Sequence, residues 1–398
     1  MLDLLFSLGT DPAAESDLLA GLIAHTERLR AAAGRGDRSV VRAVESAIAA
    51  DPAKTLSFDG RGHATVQVLG HTWSGGRFEI PTLGSLRHRA AAERAKHPGE
   101  GTARLWILDG EGPATDIGAL QATAPAGTLF QAASQFNCLE APGPRVTAVA
   151  EYFSDPTQGP RASVSAFPAT FVRHYAAPST DGRRFTQSTD GEQIELLGDV
   201  CGADVARVES GYLRSGAIGD AQMFAAALEA RFDTVRVGLH DDVEVVLGGN
   251  WDGAVEAPHR IGQVFTSTFA GGIYSRVDAS HGVYRAICRL LLRAAYLGTL
   301  LGAIAAGRRV VVLTLIGGGV FGNPIALIWE SILWAMDEAA RVAPGPLEVV
   351  LNGRRFGDDL TRGDLAAEAA RRGGVMVDFH RKGGATVLRA AEAAATAR

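Results

Sequence analysis

Residues 308–336 read RRVVVLTLIGGGVFGNPIALIWESILWAM. A β-branched run, a glycine cluster, an Asn-Pro pair and an amphipathic segment follow one another, the order of a buried strand, a tight turn and a covering helix. Glycines accept positive φ and let an anion approach the main chain, so Gly317, Gly318, Gly319, Val320, Phe321 and Gly322 form a candidate phosphate-binding turn. Asn323 is placed to cap the next helix, with Pro324 at its first position, where the helix dipole favours an anion. Gly317, Gly319 and Gly322 also fit G-x-G-x-x-G, the phosphate turn of dinucleotide-binding folds. That fold needs an acidic residue at the end of the following strand, whereas LEVVLNG ends in Asn352 and Gly353. Three readings stand: a dinucleotide turn, a structural turn without ligand, and a phosphate turn of another kind.

Working outward, strand and helix signals alternate along most of the chain. Residues 11–50 read as one or two amphipathic helices, with Leu18, Leu19, Leu22 and Ile23 on one face and a break near Gly34. TLSFDG, ATVQVLG and GRFEIPTL between 55 and 83 alternate apolar and polar residues as strands do, and SLRHRAAAERAK then reads as a helix. Beyond a soft boundary at residue 98, strands are expected at ARLWIL, GTLFQAAS, TVRVGL, VEVVLGG, QVFTSTF, RRVVVLTLI, LEVVL and VMVDFH. Helices are expected near RASVSAFPATFVRHY and over 221–231, 283–306, 324–342 and 363–372, with an alanine-rich tail RAAEAAATAR as a final surface helix. Such alternation implies an α/β fold, a sheet with helices on both faces and ligands at the carboxyl ends of its strands. An N-terminal α+β extension (1–98) would precede the main domain (99–398).

Composition bounds the function. With 398 residues, 46% hydrophobic, and 48 glycines, the chain has material for a large core and many sharp turns. A net charge of -5 does not indicate a nucleic-acid backbone as main partner. Cys138, Cys201 and Cys288 are far apart and form neither a disulfide framework nor a zinc knuckle, which suits a reducing cytoplasm. The N-terminal MLDLLFSLGT has an acidic residue at position 3 and lacks the pattern of a signal peptide. The most apolar window, 286–306, is interrupted by Arg289 and Arg293 and reads as a buried helix rather than a membrane span.

A second segment, ARLWILDGEGPATDIGALQATAPAGTLFQAASQFNCLEAPGP, acquires meaning beside the glycine turn. Together the two resemble the macrodomain, the ADP-ribose-binding fold, over roughly residues 101–345. In that family a strand leads to a Gly-Asp-Ile-Thr-like element whose aspartate meets the adenine; here ATDIGAL supplies Asp116 and Ile117. A second strand there ends in a Val-Asn-Ala-Ala-Asn-like sequence beside the distal ribose, and LFQAASQFN stands in its place, with Gln131 and Ser134 at the asparagine positions. A late turn resembling Ser-Thr-Gly-Val-Phe-Gly wraps the diphosphate, and IGGGVFGNP is similar to it over Gly-Val-Phe-Gly. DPTQGPRASVSA, with Gln158 and Gly159, stands where the family has a glycine-rich loop, without its glycine triplet. The region 176–260 has no counterpart in a minimal macrodomain, so the resemblance implies a divergent, enlarged member, nearer the glycohydrolase branch.

The resemblance implies an ADP-ribose ligand or an ADP-ribosylated target, no cofactor and no metal. Hydrolysis of an ADP-ribosyl bond passes through an oxocarbenium-like ribose and needs a held diphosphate, a fixed ribose and an acid-base group. Asn137 is the candidate for the ribose hydroxyls and Glu140 for acid-base work, with Gln158 as a further candidate. The plainer readings are a turn residue for Asn137 and a solvated loop carboxylate for Glu140. Cys138 is a buried thiol or a nucleophile. His240, Asp241 and Asp242 in GLHDDVE, and the run FHRKGG, read as polar turns rather than metal or phosphate sites. Thr266, Ser267 and Thr268 in QVFTSTFAGGIYSRVD either line the pocket or turn the chain. Three functions stay open: an ADP-ribosyl hydrolase, a non-catalytic ADP-ribose or nucleotide sensor, and an NAD(P)-dependent oxidoreductase using the glycine turn.

Overall fold

The β-branched runs form strands and the amphipathic segments between them cover those strands. A computed structural model describes residues 1–8, 14–31, 38–179, 181–202, 205–248, 254–353, 356 and 360–389. The break near Gly34 and the tail beyond 389 lie outside the described residues. The helices are α1 (Leu2–Leu8), α2 (Glu15–Ala31), α3 (Arg38–Ala50), α4 (Pro52–Thr55), α5 (Leu83–Lys96), α6 (Ile117–Thr123), α7 (Gln158–Ser165), α8 (Phe167–Tyr175), α9 (Ala221–Ala230), α10 (Gly282–Ala305), α11 (Ile325–Val342) and α12 (Arg362–Arg371). The strands are β1 (Leu56–Phe58), β2 (His63–Val68), β3 (His71–Glu79), β4 (Thr102–Gly110), β5 (Leu129–Ala133), β6 (Ala177–Pro178), β7 (Arg184–Phe185), β8 (Gly238–Leu247), β9 (Ala254–Thr266), β10 (Val310–Thr314), β11 (Pro346–Asn352), β12 (Met376–Phe379) and β13 (Ala385–Leu388).

An 11-stranded sheet has the order β1-β2-β3-β8-β9-β5-β10-β11-β4-β12-β13. From β9 to β12 every neighbouring pair is parallel, and these strands read as near-continuous apolar runs because both their faces are covered. The outer pairs are antiparallel. β3 joins β8 through Phe78 opposite His240, so the strands before residue 98 extend the same sheet, and the region 176–260 supplies the strand they pair with. Helices α5, α9, α10 and α11 pack together over one face, with Arg372 just after α12 paired to Asp337 of α11; α3, α6, α7 and α8 cover the other. Helix α10 is long and apolar enough to cross a membrane, yet it packs against α5, α9, α11, β9 and β10 and most of it is buried. Arg293 keeps its charge near the surface by lying over the Trp334 ring at 4.7 Å.

Three local expectations need correction. The helix expected over RASVSAFPATFVRHY is two helices, α7 and α8, which meet at Ala166; Pro168 stands in the first turn of α8, where its missing N–H costs nothing. TVRVGL does not form its own strand: a short 3₁₀ turn occupies 232–234, and the end of TVRVGL merges with VEVVL into β8. β8 is bulged between His240 and Val243, where Asp242 takes φ 60°. GLHDDVE, read as a polar turn, lies instead within β8, whereas FHRKGG is a turn as expected, the hairpin from β12 to a further strand β13, with Gly383 and Gly384 both at positive φ.

Candidate functional site

The cleft begins where two parallel strands part. β5 and β10 pair at Leu129 with Val311 and at Phe130 with Val312. At the next position the Gln131 side chain takes the place of the ladder: its Oε1 accepts the Thr314 N–H at 3.2 Å, and its Nε2 donates to Thr299 Oγ1 of α10 at 3.1 Å. The carboxyl ends of β5 and β10 are thereby held apart. A cavity of about 720 Å³ lies just beyond the ends of β4, β5, β10 and β11, where open α/β sheets bind ligands.

One wall is the turn after β10, contributed by Leu315 to Phe321. The Tyr296 hydroxyl of α10 fixes its start, donating to Thr314 O at 2.9 Å and accepting from Ile316 N–H at 3.1 Å. Gly317 (φ 74°) and Gly322 (φ 60°) are left-handed; Gly318 and Gly319 are not, contrary to a uniform positive-φ cluster. Gly317 is required twice, because a Cβ would also overlap the Thr268 methyl. Gly319 faces open space. Among the described residues the amides of Gly317, Gly319, Val320 and Phe321 have no protein acceptor. They are the donors this wall presents.

The opposite wall consists of side chains from the segment after β5. Glu140 is 5% exposed, and its Oε1 has no partner among the described residues. Burial lifts its carboxyl well above the usual glutamate range; the Arg173 cation pulls it back and Asp155 pushes it further. Glu140 therefore keeps its proton where an exposed glutamate has lost it. Gly159 abuts this carboxyl: a Cβ there would overlap both Glu140 and the Ala133 carbonyl oxygen. Gln158, at the first turn of α7, accepts the Ile117 N–H through Oε1 at 2.9 Å, leaving Nε2 buried without a partner. Asp155, half-buried, and Ser134 complete the wall. Thr314 and Asn352, cross-strand neighbours in β10 and β11, add buried oxygens without partners to the lining. Tyr212, Tyr274 and Phe321 gather at another edge, with ring centroids 5.2–5.9 Å apart.

A buried polar layer stands behind Glu140. Its N–H donates to the Tyr152 hydroxyl at 2.9 Å, which leaves that hydroxyl's proton for His174 Nε2 at 2.8 Å. Burial, with Arg173 nearby, pushes His174 down to about 3, so it is neutral and accepts. Arg173 is itself fully buried and is lowered to about 10 by burial. It donates to Cys138 O at 3.2 Å and Ser163 Oγ at 2.9 Å and lies over the Phe265 ring at 3.7 Å. Further back, Glu45 of α3 accepts the Val149 and Ala150 N–H groups at 2.7 and 3.1 Å and the Tyr175 hydroxyl at 3.1 Å. It thus caps the short 3₁₀ helix Val149–Ser154 that carries Tyr152 and leads to Asp155.

Of the residues singled out from sequence, Glu140, Gln158, Gly159, Ser134, Gly317, Gly318, Gly319, Val320 and Phe321 meet at the cavity. The rest stand off it. Asn137 is spent on a turn: its Oδ1 accepts Leu139 N–H at 3.1 Å, its Nδ2 donates to Gln193 at 2.9 Å, and Cys138 beside it has φ 61°. Asp116 is fully buried as the cap of α6, accepting from Gly118 and Ala119 N–H at 3.0 and 3.2 Å and paired with Arg161 at 3.1 Å. Ile117 gives its N–H to Gln158, and Gln131 acts within the sheet. Gly322 lies at the outer end of the turn, and Asn323 does not cap α11, whose cap residue is Pro324. Asn323 Nδ2 instead donates to Phe269 O at 2.9 Å and braces the turn from behind.

Burial raises the Cys138 thiol, which disfavours a thiolate. His240 Nε2 donates to Gly75 O at 2.6 Å, Asp241 pairs with Arg308 and Asp242 with Arg260. Thr266, Ser267 and Thr268 are buried beside the cleft, and the loop after them reaches it through Tyr274. Among the described residues no group of three or more His, Cys, Asp or Glu is placed to hold a metal. Sequence reading gave no role to Asp155, Tyr212, Tyr274, Thr314 and Asn352, although Asp155 opens DPTQGP and Tyr274 lies in QVFTSTFAGGIYSRVD, two stretches it had singled out.

No protein-family model matches the chain, and no curated protein matches it in sequence. Among solved structures, it is similar to poly(ADP-ribose) glycohydrolase from Deinococcus radiodurans in complex with ADP-ribose, at 10% identity over 70% of this chain and 88% of that one, with a TM-score of 0.37. It is also similar to poly(ADP-ribose) glycohydrolase from Thermomonospora curvata, at 15% identity over 84% and 99% of the two chains and a TM-score of 0.36. The same enzyme bound to the inhibitor ADP-HPD gives 13% identity, 84% and 97%, and 0.37. Likeness at this level transfers no residue's role to this chain.

Proposed function

We propose that this chain is a divergent, enlarged macrodomain-type protein that binds ADP-ribose in the cleft between β5 and β10 and hydrolyses ADP-ribosyl bonds there. The observation that carries the reading is the opposition, across one cavity, of a turn with open amides and a buried carboxyl whose proton affinity burial raises. The diphosphate lies against Gly317 to Phe321, where the N–H groups of Gly317, Gly319, Val320 and Phe321 donate to an anion at close range. The ribose to be released then faces Glu140. As the bond to the anomeric carbon breaks, Glu140 gives its proton to the departing atom, and Gln158 Nε2 is a donor for a ribose or leaving-group oxygen.

A second reading, a sensor that binds without turnover, is favoured by the position of Asn137. The resemblance gives an asparagine to the distal ribose, and here that amide is consumed in a turn. The oxidoreductase reading lacks its ribose carboxylate, since β11 ends in Asn352. The experiment combines calorimetry with ADP-ribose and release assays on arginine-, serine-, aspartate- and nucleotide-linked ADP-ribose. Binding with release supports the hydrolase, binding without release leaves the sensor, and no heat with ADP-ribose ends both.

A further inference from the structure

The proton on Glu140 supplies half of a glycosidic hydrolysis; the attacking water must lose a proton to some other group. We propose that Asp155 is a second catalytic carboxylate of this cleft and takes that proton. The assignment rests on the hydrolase reading above.

Asp155 lines the same cavity as Glu140 and reaches it from the end of the Val149–Ser154 helix. The Thr157 N–H and hydroxyl both donate to Asp155 Oδ1, at 2.8 and 2.6 Å. That fixes the carboxylate and leaves Oδ2 without a protein partner among the described residues. The turn before α7 uses only Oδ1, so Oδ2 stays open to solvent or a ligand.

The second observation is Glu140 itself, 5% exposed, with an oxygen that no donor among the described residues reaches, lining the space that Asp155 borders. The two carboxyls sense each other, since Asp155 helps to raise the Glu140 proton affinity. Their surroundings differ in the direction their roles require. Glu140 is buried beneath Gly159, and burial raises its carboxyl, whereas Asp155 is half-buried at the cavity. Paired carboxyls whose environments diverge are the usual way one site holds both an acid and a base.

The step balances. The water oxygen bonds to the anomeric carbon while the bond from that carbon to the leaving atom breaks and its electron pair goes to the leaving atom. The leaving atom takes the Glu140 proton, and Asp155 Oδ2 takes the water proton. The products are ADP-ribose with an anomeric hydroxyl and the protonated leaving group, and solvent returns the proton from Asp155 to Glu140.

The test uses the full chain and an ADP-ribosylated substrate on which the wild type turns over. Asp155→Asn keeps an acceptor for the Thr157 N–H and removes the base. Turnover should fall by about 10²–10⁴-fold, with ADP-ribose affinity by calorimetry unchanged. Azide, which attacks without needing a base, should restore turnover and give ADP-ribosyl azide by mass spectrometry. Wild-type turnover in Asp155→Asn overturns the assignment while leaving the hydrolase reading intact. A loss accompanied by lost ADP-ribose binding and no azide rescue also overturns it, in favour of a turn role. A wild type that releases nothing from any linkage ends the hydrolase reading, and the assignment with it.

Discussion

The turn after β10 and the segment after β5 face each other across one cavity and are built by opposite means. The first presents main-chain amides, with Gly317 held left-handed and Asn323 and Tyr296 bracing it from behind. The second presents carboxyls and an amide side chain, backed by a sealed layer of Tyr152, His174, Arg173 and Glu45. A wall of amides has no charge to titrate and suits holding an anion. A wall of buried ionisable groups can exchange protons, at the cost of depending on pH and on distant supports.

The largest expected difference between the walls is chemical. Glu140→Gln keeps size and removes the proton, so turnover should drop about 10²–10⁴-fold while ADP-ribose affinity is retained, measured by product chromatography and calorimetry. A fully active variant would move the chemistry away from this wall. Next comes acid stability. His174 is pushed down to about 3 and His240 well below the usual histidine range, both mainly by burial and then by Arg173. Depressed histidines are neutral in the native state and bind protons on unfolding. The His174 contribution is present above about pH 6.5 and is lost as pH falls toward 3, at roughly 1.4 kcal/mol per unit, and that of His240 is lost in the same direction. Urea melts from pH 7.5 to 4.5 should show that slope, and His174→Gln should flatten it; equal slopes would remove His174 from the account.

Smaller effects probe the supports. Gly159→Ala forces a methyl against Ala133 O and Glu140 and should cost about 1–3 kcal/mol in thermal or denaturant melts. Glu45→Gln sets an amide N–H₂ against the N–H groups it now accepts, a cost of roughly 1–3 kcal/mol. Amide exchange should rise over 149–155 and stay unchanged over 315–323; a uniform rise would mean global loosening instead. Smallest of all, Gly319→Ala on the amide wall has open space and no left-handed backbone, so its stability should stay within about 0.5 kcal/mol of wild type. Gly317→Ala should cost more, about 1–2 kcal/mol. Matching melts for the two would contradict the assigned backbone.

The walls also differed in how far the chain's sequence disclosed them. The amide wall follows a β-branched strand directly, and its glycines lie within six residues, so local pattern suffices. The helices that cover the sheet were legible for the same reason, since periodicity is local. The other wall combines Glu140 and Asp155 with Thr314 and Asn352, which only the parallel ladder of β10 and β11 brings together. Spacing could not show that. Asn137 and Asp116 were read toward a ligand, and both carry out short-range tasks typical of their kind, closing a turn and capping a helix. One unused signal was present: α3 buries Val41, Val44, Glu45 and Ile48 on one face, and a carboxylate among aliphatic neighbours must have partners.

Those partners tie α3 to a cleft that the helix does not itself line. Glu45 grips both the Val149–Ser154 helix and, through Tyr175, helix α8, while Arg38 of the same helix pairs with Glu151 at 2.7 Å. A displacement of α3 would thus pass along rigid, hydrogen-bonded links to the backbone of Glu140 and the carboxylate of Asp155. The amide turn, anchored to α10 and the β9 loop, would not feel it. Helix α3 is thus joined through Glu45 and Arg38 to the carboxyl side of the cleft, while the amide turn is held by Tyr296 and Asn323.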